Sequence, residues 1–292
     1  GKQQNVAADF RVKKYRLDFS MGLNLTGRAK VYVDRSELKS YRFTLYHGYK
    51  VKQVTDQTGA ALDFRREHDY VTVTRGEAAV EYLCLEYTGK SPKYYSSYAG
   101  VCLPANFAYY PIPGYRELFK DSFYGFIDCS LPYDTAFDVR CSGRKQMYCN
   151  LAARGDNHFA GNARSITLLS GYYDTLKLND TLVVYPKYAD TEIRARIKKN
   201  MGTFTKEHRD IRTIFIMDAD NLTPYEHLRS YDGYVVTNSM IDMEQSYFES
   251  QIDISKMDFY KTFVYYYNEK VDREELEQLK QSEDPEEYLS LI

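Results

Sequence analysis

The chain has 292 residues, with 39 Lys and Arg against 41 Asp and Glu, a formal net charge of −2, 30 Tyr and no Trp. At about 100–200 residues per domain, this length fits two domains or one large domain with an appendage. The hydrophobic fraction of 43% argues against disorder; the balanced charge gives no global field for nucleic acid or an anionic membrane. No stretch approaches the ~20 apolar residues of a spanning helix, so a soluble chain without a nucleic-acid partner is expected.

The N-terminal half reads as strands. Tyr15, Leu17, Phe19, Met21, Leu23 and Leu25 alternate with Arg16, Asp18, Ser20, Gly22, Asn24 and Thr26. A period of two puts one set on a buried face and the other in water. The pattern resumes at Ala29-Val31-Val33, which predicts a hairpin turning at Thr26-Gly27. Further strands are predicted at Tyr41–Leu45, Tyr49–Val54, Ala61–Phe64, Tyr70–Thr74 and Ala79–Tyr87, with turns at Asp56-Gln57-Thr58-Gly59 and Thr88-Gly89. Val80–Leu85 is apolar on both faces and reads as a central strand.

From 90 to 135 the chain is aromatic, proline-rich and non-periodic, which predicts an ordered irregular segment. Alternation returns at Phe137-Val139-Cys141, Met147-Cys149-Leu151, Ile166-Leu168, Leu176-Leu178 and Leu182-Val184. Short strands at this spacing predict an antiparallel β-sandwich. After Pro186 the period changes. Asp190 or Thr191 can cap a helix carrying Ile193, Ile197 and Met201 and ending near Gly202. Strands are then predicted at Arg212–Met217, Tyr234–Thr237 and Lys261–Tyr267, with an acidic helical tail over Asp272–Ile292. The expected organisation is therefore mainly β: a sandwich over 1–188 and a smaller α/β domain over 189–292.

Cys84, Cys102, Cys129, Cys141 and Cys149 contain no C-x-x-C pair, which removes the usual signature of structural zinc and dithiol chemistry. Their odd number favours small buried side chains over a disulfide framework. His47, His68, His158, His208 and His227 include no two residues three or four apart, so no helix face offers paired imidazoles. Glu207-His208 point about 100° apart at a helix end and form no shared site. The run Arg194, Arg196, Lys198, Lys199 reads as a wet helix face.

Several stretches, in order, resemble the aminopeptidase N family of zinc metallopeptidases. They are the opening hairpin, Gly59-x-x-Leu62-x-Phe64, Tyr70-Val71-Thr72-Val73, Leu83-x-Leu85-x-Tyr87-Thr88-Gly89, Tyr109-Tyr110-Pro111-x-Pro113-Gly114, Phe137-Asp138-Val139 and Tyr148-Cys149-Asn150-Leu151. The resemblance implies a saddle-like sandwich followed by the start of a thermolysin-like domain. The Tyr-Tyr-Pro-x-Pro-Gly wording is closest to aminopeptidase-like extracytoplasmic regions of bacterial ABC-type permeases. That implies the extracytoplasmic face of a membrane as the location of the full-length protein.

The family places His-Glu-x-x-His on a helix about 80–100 residues into the second domain, where the two histidines face one zinc ion. The corresponding stretch here reads Asp272-Arg273-Glu274-Glu275-Leu276-Glu277, without histidine, and Ser239-Met240-Ile241-Asp242-Met243-Glu244 keeps only part of the family's Gly-x-Met-Glu-Asn. No catalytic, cofactor or metal residue is therefore carried over, and no cofactor is expected unless zinc ligands lie outside this sequence. The expectation is a non-catalytic interaction domain with a protein or peptide partner, possible contact with the membrane portion of its own chain, and carbohydrate as a further possible ligand. An active zinc aminopeptidase with its histidine helix beyond Ile292 is the alternative. The candidate binding surface is the tyrosine-rich loop with Tyr94, Tyr95, Tyr98, Tyr109 and Tyr110, since aromatic rings on a sandwich loop can stack on sugars or anchor a protein.

Overall fold

A computed structural model describes residues 5–22, 24–91, 100–105, 107–118, 129–143, 145–187, 191–216 and 228–237. The described residues form two compact units, with the cut between Ser170 and Gly171, and with Gly100 and Val101 grouped with the second. The sequence places the boundary at 188/189. It falls earlier because the hairpin preceding Lys187 pairs with the sheet that follows the helix.

The first unit contains β1 (Val12–Met21), β2 (Leu25–Val33), β3 (Ser40–Thr44), β4 (Tyr49–Asp56), β5 (Phe64–Glu67), β6 (Tyr70–Thr74) and β7 (Tyr82–Gly89). After β8 (Gly100–Leu103) come β9 (Ile112–Pro113), β10 (Thr135–Ser142), β11 (Met147–Cys149), β12 (Ala152–Gly155), β13 (His158–Ala163) and β14 (Leu168–Gly171). A seven-stranded sheet runs β12-β13-β10-β1-β2-β7-β4, and a four-stranded sheet runs β5-β6-β3-β9. All neighbours in the larger sheet are antiparallel except β1 and β10, which are parallel with Tyr15 beside Phe137 and Leu17 beside Val139.

The period of two holds in β1: Tyr15, Leu17 and Phe19 are buried. The registers place Ala29 and Val31 of β2, Leu83, Leu85 and Tyr87 of β7, and Phe137 and Val139 of β10 on that same face. Phe107, Tyr109 and Tyr110 pack against it, with Tyr110 edge-on to Tyr15 at 5.3 Å and Tyr109 at 5.8 Å from Phe19. The opposite face is wet and carries Lys14, Arg28, Lys30, Tyr32 and Tyr82, with Lys30 over the Tyr82 ring at 5.1 Å. As expected from its apolar pattern, β7 lies between two strands, β2 and β4.

The hairpin turns at Gly22–Asn24, where the Gly22 amide donates to the Asn24 carbonyl at 3.0 Å, and not at Thr26-Gly27. Gly27 lies inside β2 because the Tyr87 ring crosses it: a β-carbon there would come within 2.5 Å of the ring. Gly89 likewise ends β7 instead of turning. The expected turn at Asp56–Gly59 is present, with the Asp56 carboxylate accepting from the Thr58 amide at 2.9 Å and Gly59 at φ +83°. The β12–β13 hairpin has no alternating pattern in the sequence.

The second unit is built on β15 (Tyr173–Leu178), β16 (Thr181–Pro186), α1 (Thr191–Glu207), β17 (Thr213–Ile216), β18 (Leu228–Tyr231) and β19 (Tyr234–Thr237). Its sheet runs β15-β16-β17-β19-β18, with β16, β17 and β19 parallel and an antiparallel strand at each edge. The β16–α1–β17 crossover is what joins parallel neighbours. In β17 and β19 every residue is buried, as parallel strands covered on both faces require. The helix runs past Gly202 by more than a turn because Phe204 and Thr205 continue the buried stripe of Ile197 and Met201. The strand predicted at Lys261–Tyr267, the tail after Asp272 and the Ser239–Glu244 stretch lie outside the described residues. No helix among the described residues is long and apolar enough to cross a membrane.

Candidate functional site

In the first unit the segment before β1 is folded against the turn that follows β9. Ile112 and Pro113 pair with Thr44 and Phe43 of β3, and Gly114 then adopts φ +84° and donates its amide to the Arg42 carbonyl at 2.8 Å. A β-carbon at Gly114 would stand 2.7 Å from the Val6 carbonyl oxygen, so glycine is what lets the N-terminal segment approach. Val6 and Tyr115 then exchange two backbone hydrogen bonds, at 2.9 and 2.8 Å. Phe10 anchors the other end, edge-on to Tyr41 at 5.3 Å and to Phe43 at 5.4 Å.

Between these anchors lies a cavity of about 760 Å³, in the range of small-molecule sites. Its polar walls are Arg11, Tyr115, Arg116, Glu117 and Tyr133. The Arg11 guanidinium stacks on the Tyr133 ring at 4.1 Å. The Tyr133 hydroxyl accepts from the Val12 amide at 2.9 Å. Burial pushes the Tyr133 phenol up from its ordinary value, against the Val12 amide and the nearby Arg11 charge, which pull it down. Arg116 is held by two contacts: its amide donates to Thr44 Oγ1 at 2.9 Å and its Nη1 to the Ser130 carbonyl at 2.8 Å. The Glu117 amide donates to Asn5 Oδ1 at 2.8 Å. Tyr115 stacks on Tyr70 at 4.3 Å and hydrogen-bonds Thr72 Oγ1. The arrangement can bind: it combines two guanidinium forks, one carboxylate and two aromatic rings around a partly apolar hollow.

The candidate surface read from the sequence is corrected at two of its five tyrosines. Tyr109 and Tyr110 are 0% and 1% exposed, and their rings pack at 5.0 Å from one another inside the aromatic core. The Tyr109 hydroxyl donates to the Ile166 carbonyl at 2.6 Å. The prolines that made this segment irregular direct it into the sandwich, so neither ring has a face left for a sugar or partner. Tyr94, Tyr95 and Tyr98 lie outside the described residues. Arg11, Arg116 and Tyr133 escaped sequence reading, because they come from three distant segments and no local pattern links them. The only local signal was Gly114, beside Tyr115-Arg116.

The five cysteines form no disulfide; four are buried and Cys141 is partly so. Three of the described histidines have partners of other kinds. His47 Nδ1 sits 2.9 Å from Asp69, His158 Nε2 sits 3.0 Å from Asp138, and His208 stacks on Phe204 at 4.2 Å. Among the described residues no three His, Cys, Asp or Glu side chains come together.

No family profile matches the sequence, and no curated protein does. Solved structures do. A yeast LTA4 hydrolase, solved in complex with bestatin, aligns over 82% of this chain and 42% of its own, with a TM-score of 0.58 at 11% identity. The native yeast enzyme aligns over 81% and 42%, with a TM-score of 0.56 at 9% identity. An aminopeptidase N family protein from Idiomarina loihiensis aligns over 87% and 47%, with a TM-score of 0.52 at 9% identity. The chain thus spans less than half the length of these proteins. Its fold is aminopeptidase N-like.

Proposed function

We propose that this chain works by offering a surface, as a non-catalytic, extracytoplasmic interaction domain of a larger membrane-anchored protein, with a protein or peptide as its partner. One observation supports this most: an aminopeptidase N-like fold is carried by a sequence in which no two of the five histidines stand three or four residues apart. Zinc held on a helix needs that spacing, since i and i+4 side chains share a face. The Tyr109-Tyr110-Pro111-x-Pro113-Gly114 wording supports the permease-associated setting, and the cavity beside the N-terminal segment is the working surface. The test is metal content and hydrolysis of an aminoacyl anilide by the purified chain. Less than a stoichiometric amount of zinc and no turnover are expected; one tightly held zinc with turnover overturns the reading.

A second reading follows from the 42% coverage of the yeast hydrolase. The full-length protein is then a zinc aminopeptidase of which this chain supplies the sandwich. A His-Glu-x-x-His sequence encoded downstream, with zinc bound by the longer product, is what that reading requires.

A further inference from the structure

The cavity beside the N-terminal segment carries more charge chemistry than its folding needs. Neither Arg11 nor Arg116 takes part in an ion pair among the described residues, although Arg28, Arg65, Arg140, Arg164 and Arg194 all do. Arg11 spends its guanidinium on a ring face, and Arg116 commits one nitrogen to the Ser130 carbonyl. Both line the same hollow, together with Tyr133. Val6, Ala8, Phe10, Pro113 and Pro132 supply an apolar wall.

We infer that this cavity binds a single carboxylate group attached to a compact apolar body. A planar guanidinium fork matches a carboxylate through two parallel hydrogen bonds, and two forks around one anion hold it far better than a surface pair does. The local charge decides between anions. The charged side chains that line it are Arg11, Arg116 and Glu117. Two cations against one carboxylate leave room for one negative charge, which suits a carboxylate and disfavours a phosphate dianion. The apolar wall takes the rest of the ligand. Such a group comes either from the C-terminal end of a peptide or from a free organic acid.

The inference deepens the surface-acting reading and rests on it for the identity of the working site. Calorimetric titration of the whole chain distinguishes the sources and tests the chemistry with four probes: acetyl-Ala-Ala-Phe as the acid, the same peptide as its amide, N-benzoylglycine, and inorganic phosphate. At least one acid is expected to bind saturably, with the amide and phosphate weaker by about tenfold or more. Tighter binding of the peptide acid identifies a chain end, and tighter binding of N-benzoylglycine a free acid; each supports the inference. Arg11→Ala removes only a ring contact from the folded protein, and is expected to weaken acid binding about tenfold while leaving the amide unchanged. Glu117→Gln is expected to tighten the acid and to admit phosphate. Equal binding of acid and amide, or no saturable binding of either acid at millimolar concentration, overturns the inference. Zinc content and anilide hydrolysis are measured on the same sample. Bound zinc with turnover therefore sinks the functional reading without touching the titration, and a failed titration sinks the inference without touching the metal result.

Discussion

The two units reach stability by different chemistry. The first is a largely antiparallel structure filled with phenols: the hydroxyl of Tyr15 donates to the Pro111 carbonyl at 2.7 Å, that of Tyr87 to Tyr109 at 2.8 Å, and that of Tyr109 to Ile166 at 2.6 Å. The second is a mixed sheet whose core is more aliphatic, with Val183, Val184, Ile197, Met201, Ile214, Val235 and Val236 buried beside the rings of Phe204, Phe215, Tyr231 and Tyr234. An aliphatic core asks only for volume and shape. A tyrosine core also asks for an acceptor at the end of each ring, because a buried hydroxyl without a partner is costly. In the first unit those acceptors are carbonyls of the irregular 107–111 segment and of Ile166, so the rings dictate where the non-repetitive backbone runs.

This contrast can be broken most severely by alkali. Burial pushes the Tyr15 and Tyr87 phenols and the Cys102 thiol well above their ordinary values, and the Cys149 thiol from 9.0 to about 12. Each group keeps its proton more tightly folded than unfolded, so its contribution is complete below the unfolded pKa and is lost as pH rises above it. Hydrogen exchange read by mass spectrometry should show the first unit opening from about pH 9 upward, ahead of β17, whose four side chains do not titrate. Simultaneous loss of protection in both units would contradict it. Next in size is Tyr109→Ala, which should cost about 3–5 kcal/mol in urea unfolding by removing a whole buried ring. Tyr87→Phe keeps the ring but strands the Tyr109 carbonyl, and should cost about 1–3 kcal/mol. Its aliphatic counterpart, Ile214→Val in the second unit, leaves no polar group behind and should cost about 0.5–1.5 kcal/mol. Smallest is Gly202→Ala in the interior of α1, where a β-carbon meets nothing within 4 Å; it should stabilise by about 0.5–1 kcal/mol, read as a higher melting temperature.

Where one face is buried and the other wet, the sequence is a faithful guide. The alternation from Tyr15 onward, the span Tyr70–Thr74 and the buried run Leu83–Leu85 all correspond to strands in the fold. The hairpin turn was misplaced because Gly27 looks like a turn residue, and only the Tyr87 ring explains it as a strand residue. The end of α1 was misplaced for a related reason: Gly202 suggested a stop, but Phe204 extends the buried stripe. The β12–β13 hairpin is made of small and polar residues without a dominant apolar phase, so periodicity had nothing to detect. Tyr109 and Tyr110 show the limit of reading aromatics in a proline-rich stretch, since irregular backbone and outward side chains are separate properties. The cavity is legible in the sequence only through Gly114. Its residues meet only because Gly114 admits Val6 and because Phe10 finds Tyr41 and Phe43, contacts that no window of sequence contains.

The parallel pairing of β1 with β10 has a consequence for biosynthesis. Lys14 of β1 meets Ala136 of β10, more than a hundred residues later in the chain. At about 5–20 residues per second on the ribosome, the β10 side of the first hairpin stays unzipped for on the order of ten seconds. That exposed edge is an invitation to intermolecular strand addition. High contact order makes its closure slow even after release, so aggregation through Val12–Met21 is a hazard until the sheet is complete.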